Sequence, residues 1–512
     1  MRAARLSLRP TISLLDFVNR HGASIRSDRL LSDKQRSVAL ISNSDVIYDN
    51  LATEEALLRG VVLRRQEALL LMYVNKPCVV VGRNQNIFSE VALRAAHHDG
   101  VSIARRNSGG GAVYHDLGNV SFSVFTHRDT YEPKRSIQLL RWHLCREFGI
   151  GPERITTTKR HDLFLDEMKI TGSAMRVQRD IACHHFTLLV SSSGSRLGKY
   201  LKREGDYISF TTAAVGSVCS RTTTLKEAGV LTDSASADPV NFILRSMAGF
   251  FVEHSWDILA HKAPWETNPL NFGDNVDTVE SKRTRECRET AAVFTLDTTK
   301  AIADGTVMID GENRRPCAGA SKTVREECVR LQSLGWLFNM PKFETRVAIT
   351  LADILASEET FSKHAALPPS LIAWLLQSCT RVDIITLIEN RRVTSITAYW
   401  IKQGEPAPEQ PWFSCLLRYL VEGRYVDNVF ADMGGKCSVL AAAIDLECSQ
   451  IISGLPAIIS QLSAGGSRNG EAVGSVISLA EERERSHDVI QRFLQAVLDV
   501  WRRKNVFYPI SY

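Results

Sequence analysis

The stretch Arg105–Asn119, RRNSGGGAVYHDLGN, gathers residue types that hold an anion. Gly109, Gly110 and Gly111 lack a Cβ, so their peptide N–H groups can curl into a nest for anionic oxygens, and Arg106 adds a planar fork of donors. The combination points to a phosphate; a glycine-rich hairpin with nothing bound has the same composition. No G-x-x-x-x-G-K-S/T pattern occurs, which excludes a P-loop. Asp162 is a candidate Mg²⁺ ligand or donor-orienting carboxylate, because phosphate chemistry recruits that ion through one or two carboxylates, and a turn-forming aspartate after His161 accounts for it as well. His115 and His184 can bind a ligand, shape a pocket, or serve as hydrogen-bonded core histidines. Cys183 stands beside His184 and His185, but adjacency in sequence does not supply the geometry of a thiol nucleophile.

Positioning these groups takes a sheet. Strands are expected over 37–47, 67–74, 78–82, 101–106, 113–116 and 120–127, the last alternating as VSFSVFTH. Helices are expected over 48–60, 88–98 and 239–254, and over 133–148, where Pro133 occupies the first turn. Helices interspersed with mixed strands, without strict strand–helix–strand repetition, predict an α+β fold: a mixed β-sheet with packed helices. A hairpin is expected over 382–399 around Glu389, Asn390 and Arg391. An amphipathic helix over 485–503 carries Val489, Ile490, Phe493, Val497, Leu498 and Trp501, a face that docks on the protein's own core.

The chain has 512 residues with a formal charge of +5, too long for one ordinary domain and too weakly basic to propose nucleic acid as a ligand. No apolar run reaches the roughly 18 residues of a membrane-spanning helix, so no membrane insertion is expected. The 11 cysteines are scattered with no C-x-x-C pair, the pattern of reduced intracellular thiols. Residues 1–36 carry seven arginines and Lys34 against Asp16, Asp28 and Asp33, which reads as a mitochondrial transit peptide and places the protein in the matrix. The expected organisation is a transit peptide over 1–36, a catalytic domain over 37–255, a polar linker or insertion over 256–330, an accessory α+β region over 331–430 and a helical extension over 431–512.

Three segments in matching order, RRNSGGGAVYHDLGN, RHDLFLDEMKITGSAMR over 160–176 and HHFTLL over 184–189, closely resemble the lipoate-protein ligase A family. The resemblance covers roughly residues 40–230. It implies a biotin/lipoate ligase-like catalytic fold that attaches lipoyl or octanoyl groups to a specific lysine on the lipoyl domains of 2-oxoacid dehydrogenase E2 subunits and on the glycine cleavage H protein. It further implies ATP, Mg²⁺ and lipoate, with a lipoyl-AMP intermediate. Mitochondrial relatives that move the acyl group from H protein to E2 subunits without ATP keep the same motifs, and a silent binding protein on the same fold is a third reading. Carried over by motif, Lys169 in KITGSA is the catalytic residue: its ammonium can lie between an acyl oxygen and a phosphate. Arg106, Gly110, Gly111, Ala112, Val113, Tyr114 and Lys169 match the ATP and lipoyl-AMP positions. Lys169, Arg83, His115 and His184 are the lipoate-binding candidates, and Asp162 is the metal candidate. Gly335–Phe343 resembles the segment that opens the family's accessory domain, although Asn339 stands where glycine is usual. The protein is expected to act as a monomer.

Overall fold

A computed structural model describes residues 12–13, 37–65, 67–202, 208–231, 237–255, 259, 292–297, 324–350, 352–353, 381–402, 405–406, 422, 500–501 and 503–504. The chain divides into two compact units, residues 1–202 with 215–339 and residues 203–214 with 340–512. Most of the expected transit peptide, linker and helical extension, including 464–499, lies outside the described residues. Among the described residues no helix is long and apolar enough to cross a membrane.

In the first unit the elements run β1 (Ile12–Ser13), β2 (Ser37–Ser42), α1 (Ile47–Gly60), β3 (Ala68–Val74), β4 (Cys78–Val81), α2 (Ile87–Glu90), α3 (Leu93–His98), β5 (Ser102–Arg105), β6 (Val113–His115), β7 (Asn119–His127) and α4 (Pro133–Phe148). They continue as β8 (Ile155–Thr157), β9 (Leu163–Leu165), β10 (Met168–Lys169), β11 (Ser173–Val177), β12 (Ile181–Leu189) and α5 (Gly194–Tyr200). After β13 (Ile208–Thr212), which belongs to the second unit, come α6 (Pro239–Ser255), β14 (Ala292–Asp297), α7 (Val324–Gln332) and α8 (Leu334–Leu337).

A sheet ordered β1-β14-β2-β3-β7-β12-β11 forms the frame, parallel from β1 to β3 and antiparallel from β3 to β11, so the α+β mixed-sheet expectation holds. Helices cover both faces. Leu139, Leu140 and Leu144 of α4 join Phe122 and Phe186 in one apolar cluster, and Leu51, Leu57 and Leu58 of α1 join Leu69, Leu71 and Phe125 in another. Each such leucine contributes about 1.5 to 3 kcal/mol by leaving water. Beside the frame, β4 pairs with β5 and β6 in a small sheet that delivers the glycine-rich loop.

Two local expectations change. The single helix over 88–98 is broken at Val91 and Ala92, because the Ala92 N–H leaves the helical ladder for the carbonyl of Tyr200, 3.0 Å away. The segment over 331–339 belongs to the first unit: Leu331 of α7 lies in the α1 core cluster, and Trp336 Nε1 donates to the Arg105 carbonyl at 2.7 Å. Conversely, β13, inside the expected catalytic segment, pairs with β15 of the second unit.

In the second unit β13 joins β15 (Phe343–Thr350), β16 (Arg381–Glu389), β17 (Arg392–Lys402) and β18 (Glu405–Pro406) in an antiparallel sheet. The expected hairpin is present, with Asn390 and Arg391 at φ 50° and 67° between β16 and β17.

Candidate functional site

A cavity of about 540 Å³ opens beside β6, β11 and β12, which supply Val113 and His115, Ser173–Met175, and His185–Thr187 respectively. Its apolar wall includes Ile47, Leu51, Tyr73, Val80, Phe122 and Phe186. Its polar wall carries Arg106, Lys159, Arg160 and Lys169, and among the described lining residues Asp162 is the only carboxylate. An apolar pocket with a cationic rim suits a ligand that joins a hydrocarbon chain to an anion.

Lys169 ends β10, reached from β9 through the two-residue turn Asp166–Glu167, both at positive φ. Its N–H donates to the Arg221 carbonyl (2.9 Å) and its own carbonyl accepts from Thr223 N–H (3.1 Å), a parallel bridge to Thr222 on one side of the backbone, while β9 pairs with it on the other. The ammonium, 21% exposed, donates to Asp162 Oδ2 at 2.8 Å. Asp162 is held by a left-handed bend at His161 (φ 62°) and by Thr158, whose Oγ1 accepts the Asp162 N–H at 3.3 Å. The pair keeps one charged donor aimed along the cavity wall. Asp162 therefore offers a metal ion a carboxylate already engaged by Lys169. With no second lining carboxylate, the wall fits a Mg²⁺ ion only where substrate phosphates supply most of its ligands.

The glycine-rich loop differs from a row of three interchangeable glycines. Gly110 sits at φ 90°, which glycine alone adopts without strain, and a Cβ on Gly111 would come within 3.1 Å of Ser217 Oγ, whereas a Cβ on Gly109 would meet nothing within 4 Å. Arg106 is buried, and its fork turns onto the protein, donating to the carbonyls of Gly109 and Gly111 at 2.6 and 2.8 Å. It thus shapes the loop instead of presenting a free fork to a ligand. The Ala112 N–H faces the cavity and donates to Ser217 Oγ at 2.9 Å.

Gly110, Gly111, Ala112, Val113, His115, Asp162 and Lys169 are brought together around the cavity. Arg83, Tyr114 and His184 are not among its lining residues. Arg83 is exposed at the end of the β4 loop, where Gln85 is the buried member, donating to Ser217 Oγ at 3.0 Å. Strand alternation turns Tyr114 away, against the ring of Tyr200 with centroids 5.5 Å apart. His184 points opposite to His185, and its ring lies tilted against Phe186 with centroids 5.2 Å apart. Burial lowers the pKa of His115 and of His184 to about 3, so both stay neutral; His115 Nδ1 accepts from Asn75 Nδ2 at 2.9 Å. Cys183 is buried and its thiol is pushed well up by that burial, which removes it as a nucleophile.

Residues 46–240 match the family described as the lipoyl protein ligase A/B catalytic domain. That match takes in less than half of the chain. The chain is also 37% identical over 170 residues to the human protein "Lipoyl amidotransferase LIPT1, mitochondrial", a match covering 33% of this chain and 44% of the relative. The mouse protein of the same name is 36% identical over 173 residues, covering 33% and 45%. The chain thus spans less than half the length of the curated relatives it matches. Among solved structures, the P. falciparum LipL1 complex with lipoate aligns with TM-score 0.40 at 19% identity, covering 71% of this chain and 84% of that one. A lipoate-protein ligase A bound with ATP aligns with TM-score 0.34 at 22% identity, covering 50% and 95%.

Sequence reasoning missed four contributors to the site: Gly82, Glu54, His185 and Ser217. A Cβ on Gly82 would fall 2.1 Å from the Gly110 carbonyl oxygen, so the loop closes only over a glycine there. The signal available was Gly82 at the end of the buried run CVVV; Ser217 lies in a polar stretch with no motif of its own.

Proposed function

We propose that this protein transfers a lipoyl group, or its octanoyl precursor, to the ε-amine of a specific lysine on a lipoyl domain. The observation that carries the reading is the Lys169–Asp162 pair, the charged donor fixed on the wall between an apolar pocket and a cationic rim. The eight-carbon acyl chain lies against Ile47, Leu51 and Phe186, which also keep water from the activated carbonyl. The donor's phosphate sits against the loop N–H groups and Lys159 and Arg160. As the acceptor amine attacks the acyl carbon, the developing oxyanion meets the Lys169 ammonium, and the leaving group departs along the cationic wall. Acceptors are the lipoyl domains of 2-oxoacid dehydrogenase E2 subunits and the glycine cleavage H protein. The arginine-rich start of the chain and the mitochondrial relatives support a matrix location, and the protein acts as a monomer.

The cationic rim favours a phosphate-bearing donor, lipoyl-AMP, made here from ATP and lipoate with Mg²⁺ or supplied preformed. A second reading, direct transfer from an acylated H protein, is favoured by the amidotransferase name of the human and mouse relatives. The mass of an apo lipoyl domain after incubation with each donor in turn separates the two. Lys169→Ala should lower the rate with the productive donor at least about a hundredfold while the protein stays folded. Undiminished modification by that variant would overturn the reading.

A further inference from the structure

Below the glycine-rich loop, α1 presents two adjacent carboxylates, Glu54 and Glu55, to the protein interior. His185 Nδ1 lies 3.0 and 3.1 Å from the two oxygens of Glu54, and Ser123 Oγ donates to the same carboxylate at 2.6 Å. Across the ring, His185 Nε2 is 2.6 Å from Ser108 Oγ. An ionised carboxylate only accepts, so Nδ1 carries the ring proton and Nε2 is left to accept the Ser108 hydroxyl. Ser108 Oγ accepts from Arg106 Nε at 3.2 Å, and Arg106 in turn holds the carbonyls of Gly109 and Gly111. Polarity therefore runs one way, from Arg106 through Ser108 and His185 to Glu54. Glu55 anchors the preceding residue, accepting from Asn107 Nδ2 at 2.9 Å, while Glu327 of α7 accepts from the same nitrogen at 3.1 Å.

The consequence for the loop follows from peptide planarity. In a trans peptide the N–H points opposite to the carbonyl of the same unit. Arg106 pulls the Gly109 and Gly111 carbonyls inward, so the N–H groups of Gly110 and Ala112 point away from Arg106, and Ala112 N–H indeed meets Ser217 Oγ at the cavity. Ser108 is 3% exposed and does not line the cavity, so the Ser–His–Glu line is not a nucleophile set against the substrate.

We infer that Glu54 and His185 are positioning residues for the proposed transfer: acting through Ser108 and Arg106, they fix the direction of the glycine loop's peptides and thereby set affinity for the phosphate-bearing donor. This rests on the function proposed above. The test uses the full chain and lipoyl-AMP, measuring its Kd by calorimetry and KM and kcat for transfer to an apo lipoyl domain. Ser108→Ala and His185→Asn, the latter keeping the Glu54 side and losing Ser108, should each raise Kd and KM about tenfold with kcat changed less than about threefold. His185→Gln, whose amide oxygen reaches the Nε2 position, should recover most of the loss. Unchanged Kd in Ser108→Ala and His185→Asn at unchanged melting temperature would overturn the inference, as would an acyl ester found on the Ser108 peptide, which would make that serine a nucleophile. A wild-type protein that binds lipoyl-AMP without transferring it would sink the proposed function alone, because the variants' Kd values still report on the loop; one that binds no lipoyl-AMP would sink both.

Discussion

Strands β7 and β15 both lie inside a sheet and are used differently. β7, NVSFSVFTH, alternates polar and apolar residues, whereas β15, FETRVAIT, alternates in burial. In β15 the alternation meets water, with Arg346 and Thr350 exposed and Phe343, Val347 and Ile349 buried. In β7 every residue before His127 is buried. Its polar face lies on the α1 side, where Ser123 bonds Glu54 and Ser121 lines the cavity, while Val120, Phe122 and Val124 enter the opposite apolar cluster. A polar stripe on an edge or half-covered sheet is a solvated face. The same stripe on a strand flanked by β3 and β12 is shut off from water, and the partner that Ser123 finds there, Glu54, is a support of the site.

If this contrast is right, the site sheet should fail on one methyl group. Gly82→Ala places a Cβ 2.1 Å from a backbone oxygen of Gly110, which no side-chain rotation relieves. The loop must move, and transfer to an apo lipoyl domain should fall about a hundredfold or more, in line with the cost of misplacing reacting groups by an ångström. Gly109→Ala, with open space around it, should stay within about twofold of wild type. Equal losses in the two variants would refute the account of the loop.

Acid should separate the two units next. His115, His143 and His184 are buried in the first unit, and burial lowers each pKa from 6.5 to about 3; the described residues of the second unit include no histidine. Each is neutral when folded and takes a proton when unfolded below about pH 6.5, so their contribution is complete above that pH and is lost as the pH falls toward 3. From pH 7 to 5.5 the first unit should lose roughly 4 kcal/mol from the three together. Urea unfolding followed by protease cleavage at peptides of each unit checks this. A first unit as resistant at pH 5.5 as at pH 7 would mean that these rings are charged or solvated.

Periodicity and turn chemistry reveal the frame: α4 begins at Pro133, and the β16–β17 turn falls on Asn390 and Arg391, as local sequence dictates. The motif residues Gly110, Gly111, Ala112, Val113, Asp162 and Lys169 converge as their order suggests. What stays hidden is side-chain direction. RRNSGGG does not say that Arg106 bonds its own loop, HH does not say which histidine faces the cavity, and TEEALL does not say that Glu54 and Glu55 lie under the loop. Those choices depend on which neighbour approaches in space, as His185 meets Glu54 across 131 residues of chain.

The smallest effect belongs to the second unit, and its sign is the informative part. Asn390 and Arg391 occupy both central positions of a two-residue hairpin turn with positive φ, a geometry that asparagine followed by glycine adopts most readily. Arg391 at φ 67° carries the steric cost of a left-handed residue, about 1 to 2 kcal/mol. Arg391→Gly removes that cost but gives the unfolded chain extra freedom worth about 0.4 to 1 kcal/mol. The balance predicts a gain of about 0.5 kcal/mol, seen as a higher urea midpoint for second-unit peptides and no change for β7 or β12. A loss of stability instead would show that the contacts of the Arg391 side chain outweigh its backbone strain, and that this turn, like the loop above Glu54, is held by more than its local sequence.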